Sequence, residues 1–432
     1  MKKFLAIIIC LLITQYCFGI AEQTKKISLE TAVQLALKEN PQNKMAKLDT
    51  QIAQKDVKIA GQLQNPALHF FQNIGRAGAG NPQQLGLAYG IELLKPQKRK
   101  KTAKLLAEIS ESNKNLYENE LIFKVKSAYF DLLERKTNIE IARSQLDLFK
   151  QLFENTQKEV KTGKLPKTDE VLAKIEYNRS QMYYNQAKSE MISARNRFNA
   201  VMNSSELEFD TVQDGLTDDY SSLLTIKPTD KSLNVEEIKK FVFEHRFDIL
   251  SAKKEVEAKK AELSVIKSKL MPDLEILGGW SYQTAGVSES SKFENGAYIG
   301  ASLVNIPVVY QYKPEIDRAK FEIEKAELKY QDLMIDVTRN ITDAWENYSI
   351  SRENLNFYDK ELLNNSEELL ETSYKSLKKK EITMGEFLLL RKIYIELMLG
   401  YSNALKSYYT AYAELLKEMN ISDIGEMKKE KI

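Results

Sequence analysis

Cysteine is almost missing from this 432-residue chain: there are two, Cys10 and Cys17. Both fall in the apolar N-terminal stretch, so the remainder has no disulfide, no thiol nucleophile and no thiolate ligand. Histidine is equally scarce. His69 and His245 have no His or Cys partner at ligand spacing, so a metal centre lacks its donors. An excess of charge is missing too, with 63 Lys and Arg against 61 Asp and Glu. Removing Lys2 and Lys3 with the leader described below leaves 61 of each (63 − 2 = 61). A neutral balance excludes general nucleic-acid binding. After residue 21 no run approaches the roughly 20 apolar residues of a membrane helix. Catalytic signatures are also lacking. The loop Gly75 to Pro82 is glycine-rich, but no Lys-Ser/Thr pair follows it as phosphate binding requires. Lys161-Thr162-Gly163 and Ser264 to Lys267 resemble penicillin-binding motifs without their Ser-Asp-Asn element. The chain is read as a non-enzyme with no cofactor.

What is present begins with residues 1–21, which read as a secretory signal. Lys2-Lys3 form its charged start, Phe4 to Ile13 its apolar core, and Gly19 and Ala21 supply small residues for cleavage. Cys17 follows Thr14-Gln15-Tyr16, which is no lipidation signal.

Two helical periods dominate the rest. No proline lies between Pro96 and Pro166, so nothing breaks a helix there. Val125, Ala128, Leu132, Ile139, Ala142, Leu146, Phe149, Phe153 and Val160 step by three, four or seven, a heptad seam interrupted by Arg135 and Thr156. From Gln97 to Val160 such a helix is roughly 95 Å long. Thr162-Gly163-Lys164-Leu165-Pro166 ends it, and a shorter helix returns to Met202. The design recurs from Pro314 to Met419. Ile316, Ala319, Ile323, Ala326, Tyr330, Leu333 and Val337 form one seam, which shifts to Ile341, Trp345, Tyr348, Leu355, Leu362 and Leu369, as a four-residue insertion does. The returning helix carries Phe387, Leu390, Tyr394, Leu397, Tyr401, Ala404, Tyr408, Ala411 and Leu415.

Before each hairpin the period becomes two. Leu85, Leu87, Tyr89, Ile91 and Leu93 alternate with Gly86, Ala88, Gly90, Glu92 and Leu94. Residues 66–74 form a weaker partner strand. Leu274, Ile276, Trp280 and Tyr282 alternate with Asp273, Glu275, Gly279 and Ser281, and Ala297, Ile299, Ala301 and Leu303 with Tyr298, Gly300 and Ser302. The strands are placed at about 66–74, 85–94, 272–282 and 296–305. Shorter helices precede them, one capped by Ser28 with Thr31 and ended at Asn40-Pro41, another from Gln42 to Leu63.

Asn65-Pro66-Ala67-Leu68 matches Met271-Pro272-Asp273-Leu274, and Ala53 matches Ala258, at a nearly constant offset. The chain is thus divided into the leader (1–21), a first repeat (22–202) with its hairpin at 97–202, a polar linker (203–245), a second repeat (246–419) with its hairpin at 314–419, and a mobile tail (420–432). Strands of about ten alternating residues match a tilted crossing of a bilayer. Four cannot close a barrel, and lipid tolerates no open edge. The strands must therefore be pooled between copies. The expected fold is mainly α with a small β part, in which duplicated helical hairpins form an α-barrel and four strands per subunit enter a shared β-barrel.

The chain resembles outer-membrane efflux proteins of the TolC family, nearest the branch found with cobalt–zinc–cadmium resistance pumps. The residues that carry this are Leu29-Glu30-Thr31-Ala32 with Ala36 and Asn40-Pro41, Gln64 to Leu68, Ala128 to Leu133, and the turn Gly163-Lys164-Leu165 with Asp169-Glu170-Val171-Leu172. The second half adds Tyr374 and Lys380-Glu381-Ile382 with Glu386-Phe387-Leu388-Leu389. The resemblance implies a homotrimer with a twelve-stranded barrel in outer-membrane lipid and a helical tunnel in the periplasm. It implies docking to a periplasmic adaptor and an inner-membrane pump, of the RND type or an ABC transporter, and passive conduction. By position it places the hairpin tips at Gly163, Asp169, Lys380 and Glu386, with Asp169 and Glu386 as carboxylate rings that favour cations. Both carboxylates also suit a helix N-terminus in its own right. Leu377 and Ile382 stand where the family's best-known member has a Tyr–Arg latch. The alternatives are a channel for type I protein secretion with an ABC transporter, and an exported structural coiled coil.

Overall fold

A computed structural model of the chain describes residues 25–72, 82–203, 209–216, 234–283 and 295–421. The signal at 1–21, most of the loops at 75–82 and 283–295 and nearly all of the tail at 420–432 lie outside these. The chain divides into two compact units that each take pieces of both halves of the sequence: residues 45–116 with 245–336, and residues 1–44 with 117–244 and 337–432.

The unit made of 45–116 and 245–336 holds a four-stranded antiparallel sheet. Its strands are β2 (Ala67–Gln72), β3 (Pro82–Ile91), β5 (Asp273–Gln283) and β6 (Gly296–Val304), in the order β2-β3-β5-β6. Residues opposite one another in an antiparallel pair share a face. Register pairs Phe70 with Leu85 and Leu85 with Trp280, while Tyr89 faces Ile276 and Leu274 faces Leu303. One face therefore carries the large apolar residues of the paired strands; Leu68, Phe70, Leu85, Leu87, Trp280 and Ile299 are exposed, while Tyr89, Ile91 and Leu274 are half-buried. The other face is mostly small. There Gly86 lies opposite Gly279, which lies opposite Tyr298. A Cβ on Gly279 would collide with the Leu85 carbonyl and the Gly86 backbone, and one on Gly86 would meet the Tyr298 hydroxyl. Each glycine gives up side-chain packing so that the backbones and the tyrosine ring can approach.

β3 differs from the expected span at both ends. It begins at Pro82 and stops at Ile91, because Leu94 turns to φ 62° and sends the chain into a helix. α2 (Pro41–Ala60) likewise ends before Leu63. A buried ion pair closes the strand–helix junction. Lys95 Nζ lies 2.7 Å from Asp273 Oδ1, with both side chains one-tenth exposed. The Asn305 amide, just beyond β6, donates to Asp273 Oδ2 at 3.0 Å. α6 (Phe247–Ser268) and the first turns of α3 (Lys95–Lys161) and α7 (Lys313–Asn356) complete this unit.

The other unit contains most of the long helices. α3 (Lys95–Lys161) runs unbroken for 67 residues, and α4 (Lys167–Met202) returns for 36. Ala173, Ser180, Ala187 and Ala194 are buried along α4 at intervals of seven, a small-residue seam that lets a neighbour approach closely. The second rod is not continuous as expected. α7 (Lys313–Asn356) and α8 (Lys360–Lys378) are separated at residues 357–359, and α9 (Met384–Met419) returns. The seam shift after Val337 leaves the helix intact; Val337 and Ile341 are both buried. The break comes later, where the Asp359 carboxylate accepts from the Leu362 N–H at 2.7 Å and so starts a new helix. The restart also turns the seam. Leu362 and Leu369 are exposed, while Ser373 is buried and Leu370, Tyr374 and Leu377 are packed on the core.

Within the polar linker, Phe209–Thr211 forms β4, fully buried and paired in parallel with β1 (Lys25–Ile27). Lys136 holds it, 2.8 Å from Asp210 and donating to the Thr211 and Gln213 carbonyls. Tyr129 bonds to Gln213 and donates to the Ile27 carbonyl, and burial pushes its hydroxyl up to about 12. α1 (Leu29–Glu39) begins as expected, with the Ser28 hydroxyl accepting from the Thr31 N–H at 3.2 Å. α5 (Val235–His245) also belongs to this unit, up to Glu244.

The glycine pair supplies a test of the sheet. Gly279→Ala should lower stability by about 1–3 kcal/mol, the usual cost of overpacking. Gly300→Ala, whose Cβ would meet nothing within 4 Å, should be close to neutral. Thermal unfolding of the two variants checks this, and equal melting temperatures would contradict the close approach.

Candidate functional site

The two hairpin turns share one backbone design. In the first, the Gly163 N–H donates to Val160 O at 3.0 Å and the Lys164 N–H to Glu159 O at 2.9 Å. In the second, Lys380 donates to Leu377 O at 3.1 Å and Glu381 to Ser376 O at 2.9 Å. Each is a Schellman cap, which needs a left-handed residue at its centre. Gly163 supplies it at φ 72°, and Lys380 at φ 64° despite its side chain. The same pairing of halves recurs at Leu94 with Tyr312 and at Asn203 with Asn420, all at positive φ. Unusual handedness thus marks equivalent points in the two hairpins.

The turns touch. Lys380 Nζ donates to the Lys164 carbonyl at 3.1 Å and stands 3.9 Å from Glu159. Its neighbours are engaged as well: Lys379 lies 3.9 Å from Glu381, and Lys378 lies 4.3 Å above the Tyr374 ring. Lys379 and Lys380 are more than half exposed and Lys378 is exposed, so each contact is worth little by itself. Cohesion comes from the apolar cluster beneath. Phe149 and Leu152 of α3, Ala173 of α4 and Met384 and Phe387 of α9 are buried together. Leu377 and Ile382, at the latch positions, pack against this cluster.

Asp169 and Glu386 both lie in the first turn of a returning helix. Glu386 completes a capping box. Its carboxylate accepts from the Thr383 N–H at 2.8 Å and hydroxyl at 2.9 Å, and its own N–H donates to the Thr383 hydroxyl at 3.2 Å. The backbone N–H of Thr383, followed by the hydroxyl, holds this carboxyl below the usual range. Beside Asp169, Glu170 is held low mainly by its hydrogen bond from Lys167. The structure thus brings Gly163 and Lys380 into adjoining turns and places Asp169 and Glu386 at helix starts.

One buried cation escaped the sequence reading. Arg391 of α9 is 5% exposed, with its guanidinium carbon 3.7 Å from the centre of the Phe149 ring. Burial pushes it down to about 10, against the pull of Glu176. It lines a cleft of about 510 Å³ with residues of α3, α4 and α9, including Tyr183 and Lys392. The available signal was its spacing, four residues after Phe387 on the inner side of α9. Further along, Lys406 lies 2.8 Å from Asp131 and 2.9 Å from Glu134, and Arg197 lies 2.6 Å from Asp131. Arg135, read as a break in the seam, lies 2.8 Å from Glu190 of α4 and so links the two arms of the hairpin. His69 lies in β2 and His245 ends α5, without a cluster of metal donors among the described residues.

No family model matches the sequence, and no curated protein matches it. Solved structures do. The open state of the Neisseria gonorrhoeae MtrE outer membrane channel aligns at TM-score 0.71 and 16% identity, over 91% of this chain and 89% of that one. The Campylobacter jejuni CmeC outer membrane channel aligns at 0.68 and 15%, over 93% and 88%. The outer membrane protein VceC from Vibrio cholerae aligns at 0.69 and 16%, over 91% and 96%. The shared property is the fold: long helical hairpins joined to a small antiparallel sheet, over nearly the full length of each chain.

Turn chemistry makes two predictions. Lys380→Gly should raise stability by about 0.5–1 kcal/mol by removing a strained left-handed side chain, and Gly163→Ala should lower it by about 1 kcal/mol. Opposite shifts in melting temperature check the pair; a destabilised Lys380→Gly would mean that the Lys164 contact outweighs the strain. For Glu386 the folded pKa is depressed, so its contribution is present above the ordinary carboxylate pKa and is lost as pH falls through the lower folded value. The stability difference between wild type and Glu386→Gln should therefore shrink on acidification below about pH 4.5, as a titration of unfolding midpoints would reveal.

Proposed function

We propose that this chain is one subunit of an outer-membrane channel of the TolC family, working as a trimer. Three four-stranded sheets close a twelve-stranded barrel, and the helical hairpins line a periplasmic conduit. Conduction is passive: a periplasmic adaptor and an inner-membrane pump supply the drive. The observation that carries this reading is the sheet itself, apolar on one exposed face and, among the described residues, open at both edges, β2 and β6. In lipid each unpaired backbone group costs several kcal/mol, so such a sheet is stable in a bilayer only when neighbouring copies pair its edges. The fold likeness to outer-membrane channels supports the same reading.

The narrower reading is the heavy-metal efflux branch, on the resemblance of Gln64 to Leu68 and of the two turn motifs. It predicts that deletion sensitises cells to divalent metals rather than to drugs, whereas a defect confined to a secreted protein would favour type I secretion. In the trimer, Asp169 and Glu386 would each form a threefold ring of like charges at the periplasmic end.

Planar-bilayer recording of the purified chain tests this. Trimers that conduct ions, with a cation preference reduced in Asp169→Asn/Glu386→Gln, are expected. Glutamine keeps the capping box while removing the charge. A water-soluble monomer without conductance would overturn the channel, and unchanged selectivity in the double variant would remove the rings alone.

A further inference from the structure

The end of the sheet where strands hand over to helices has a composition that helix stability does not explain. Lys95 to Lys104, the start of α3, holds six cations and no carboxylate. A helix N-terminus carries positive partial charge, so this is the end at which lysines are least favoured. Lys95 is matched by Asp273, and Arg99 by Glu92 at 2.6 Å. Lys100, Lys101 and Lys104 are exposed and have no ion pair among the described residues.

At the same end of the sheet lie exposed apolar residues in all four connectors between strands and helices. The register sets Ile91 opposite Leu274 and Asp273 opposite Val304, so these connectors leave from one end of the sheet. Leu63, Leu94, Met271 and Ile306 are each more than one-third exposed, Val308 is 76% exposed and Val309 98%. Val308 and Val309 belong to no helix or strand, so they form no seam for a neighbouring rod.

We propose that these connectors and the start of α3 form a collar that binds the headgroup layer of a phospholipid leaflet, with preference for anionic phospholipid. The proposal rests on the channel reading above, which puts this end of the sheet at the membrane surface. Apolar side chains enter the acyl boundary, and the lysines meet the phosphates. Two such signals together make a stable interfacial contact where either alone is weak. Lys100, Lys101 and Lys104 give the selectivity, since a zwitterionic headgroup offers them no net charge.

The test reconstitutes the full chain in phosphatidylcholine bilayers and measures, by spin-label electron paramagnetic resonance, how much spin-labelled phosphatidylglycerol and phosphatidylcholine the protein immobilises. A preference of about tenfold for phosphatidylglycerol is expected at low salt, falling toward one in molar salt. K100Q/K101Q/K104Q should lose the preference, and K100R/K101R/K104R should keep it. V308D/V309D should lose it as well, by adding carboxylates to the same end of the sheet. Circular dichroism shows that each variant is folded. Immobilised lipid without any preference, or a preference untouched by the glutamine triple, overturns the collar and leaves this face to a second copy of the chain. No immobilised lipid of either kind overturns the channel reading itself.

Discussion

A β-sheet in lipid must have every backbone group paired, and this sheet cannot meet that condition by its own strands. Among the described residues, four strands leave the outer edges of β2 and β6 open, and the face with Leu85, Trp280 and Ile299 exposes its large apolar side chains. Under the proposed reading, the subunit is an arc that is completed only by other arcs. The inner face follows from the same demand. Gly86 and Gly279 let strands and the Tyr298 ring approach closely, which suits a curved sheet that carries its large residues outside.

The strand–helix junction must be stiff if the two periods are to keep their registers. Lys95, Asp273 and Asn305 tie together the start of α3, the start of β5 and the end of β6 in a pair that is nearly withdrawn from water. Removing one partner from such a pair costs far more than the pair contributes, so its role is best seen as specificity of junction geometry. In the other unit, Lys136 and Tyr129 do the corresponding task for the β1–β4 pair, anchoring it to the middle of α3.

At the turns, stability and candidate function coincide on the same residues without being the same claim. Glu386 caps a helix in a single copy of the chain; only its threefold repetition would make it a selectivity element. Lys380 adopts a backbone conformation that glycine would adopt more easily, yet its side chain reaches the other turn.

Much of this was legible in order along the chain. Alternation over 85–91 and 273–283 placed the sheet, because period two has no other cheap explanation at that length. The proline-free stretch and Gly163-Pro166 placed the first hairpin nearly to the residue. The heptads showed which residues face inward over much of α3, and the repeat of motifs showed a second hairpin. These are local signals, set by the chain's own geometry and by the need to bury one side. Tertiary structure alone decided the rest. It paired Lys25–Ile27 with Phe209–Thr211, stopped α7 at Asn356 and turned α8 so that Leu362 and Leu369 face outward, and buried Arg391 against Phe149. In each of these the deciding energy is a contact between residues distant in sequence, or a choice between two locally acceptable conformations, and periodicity carries no information about either.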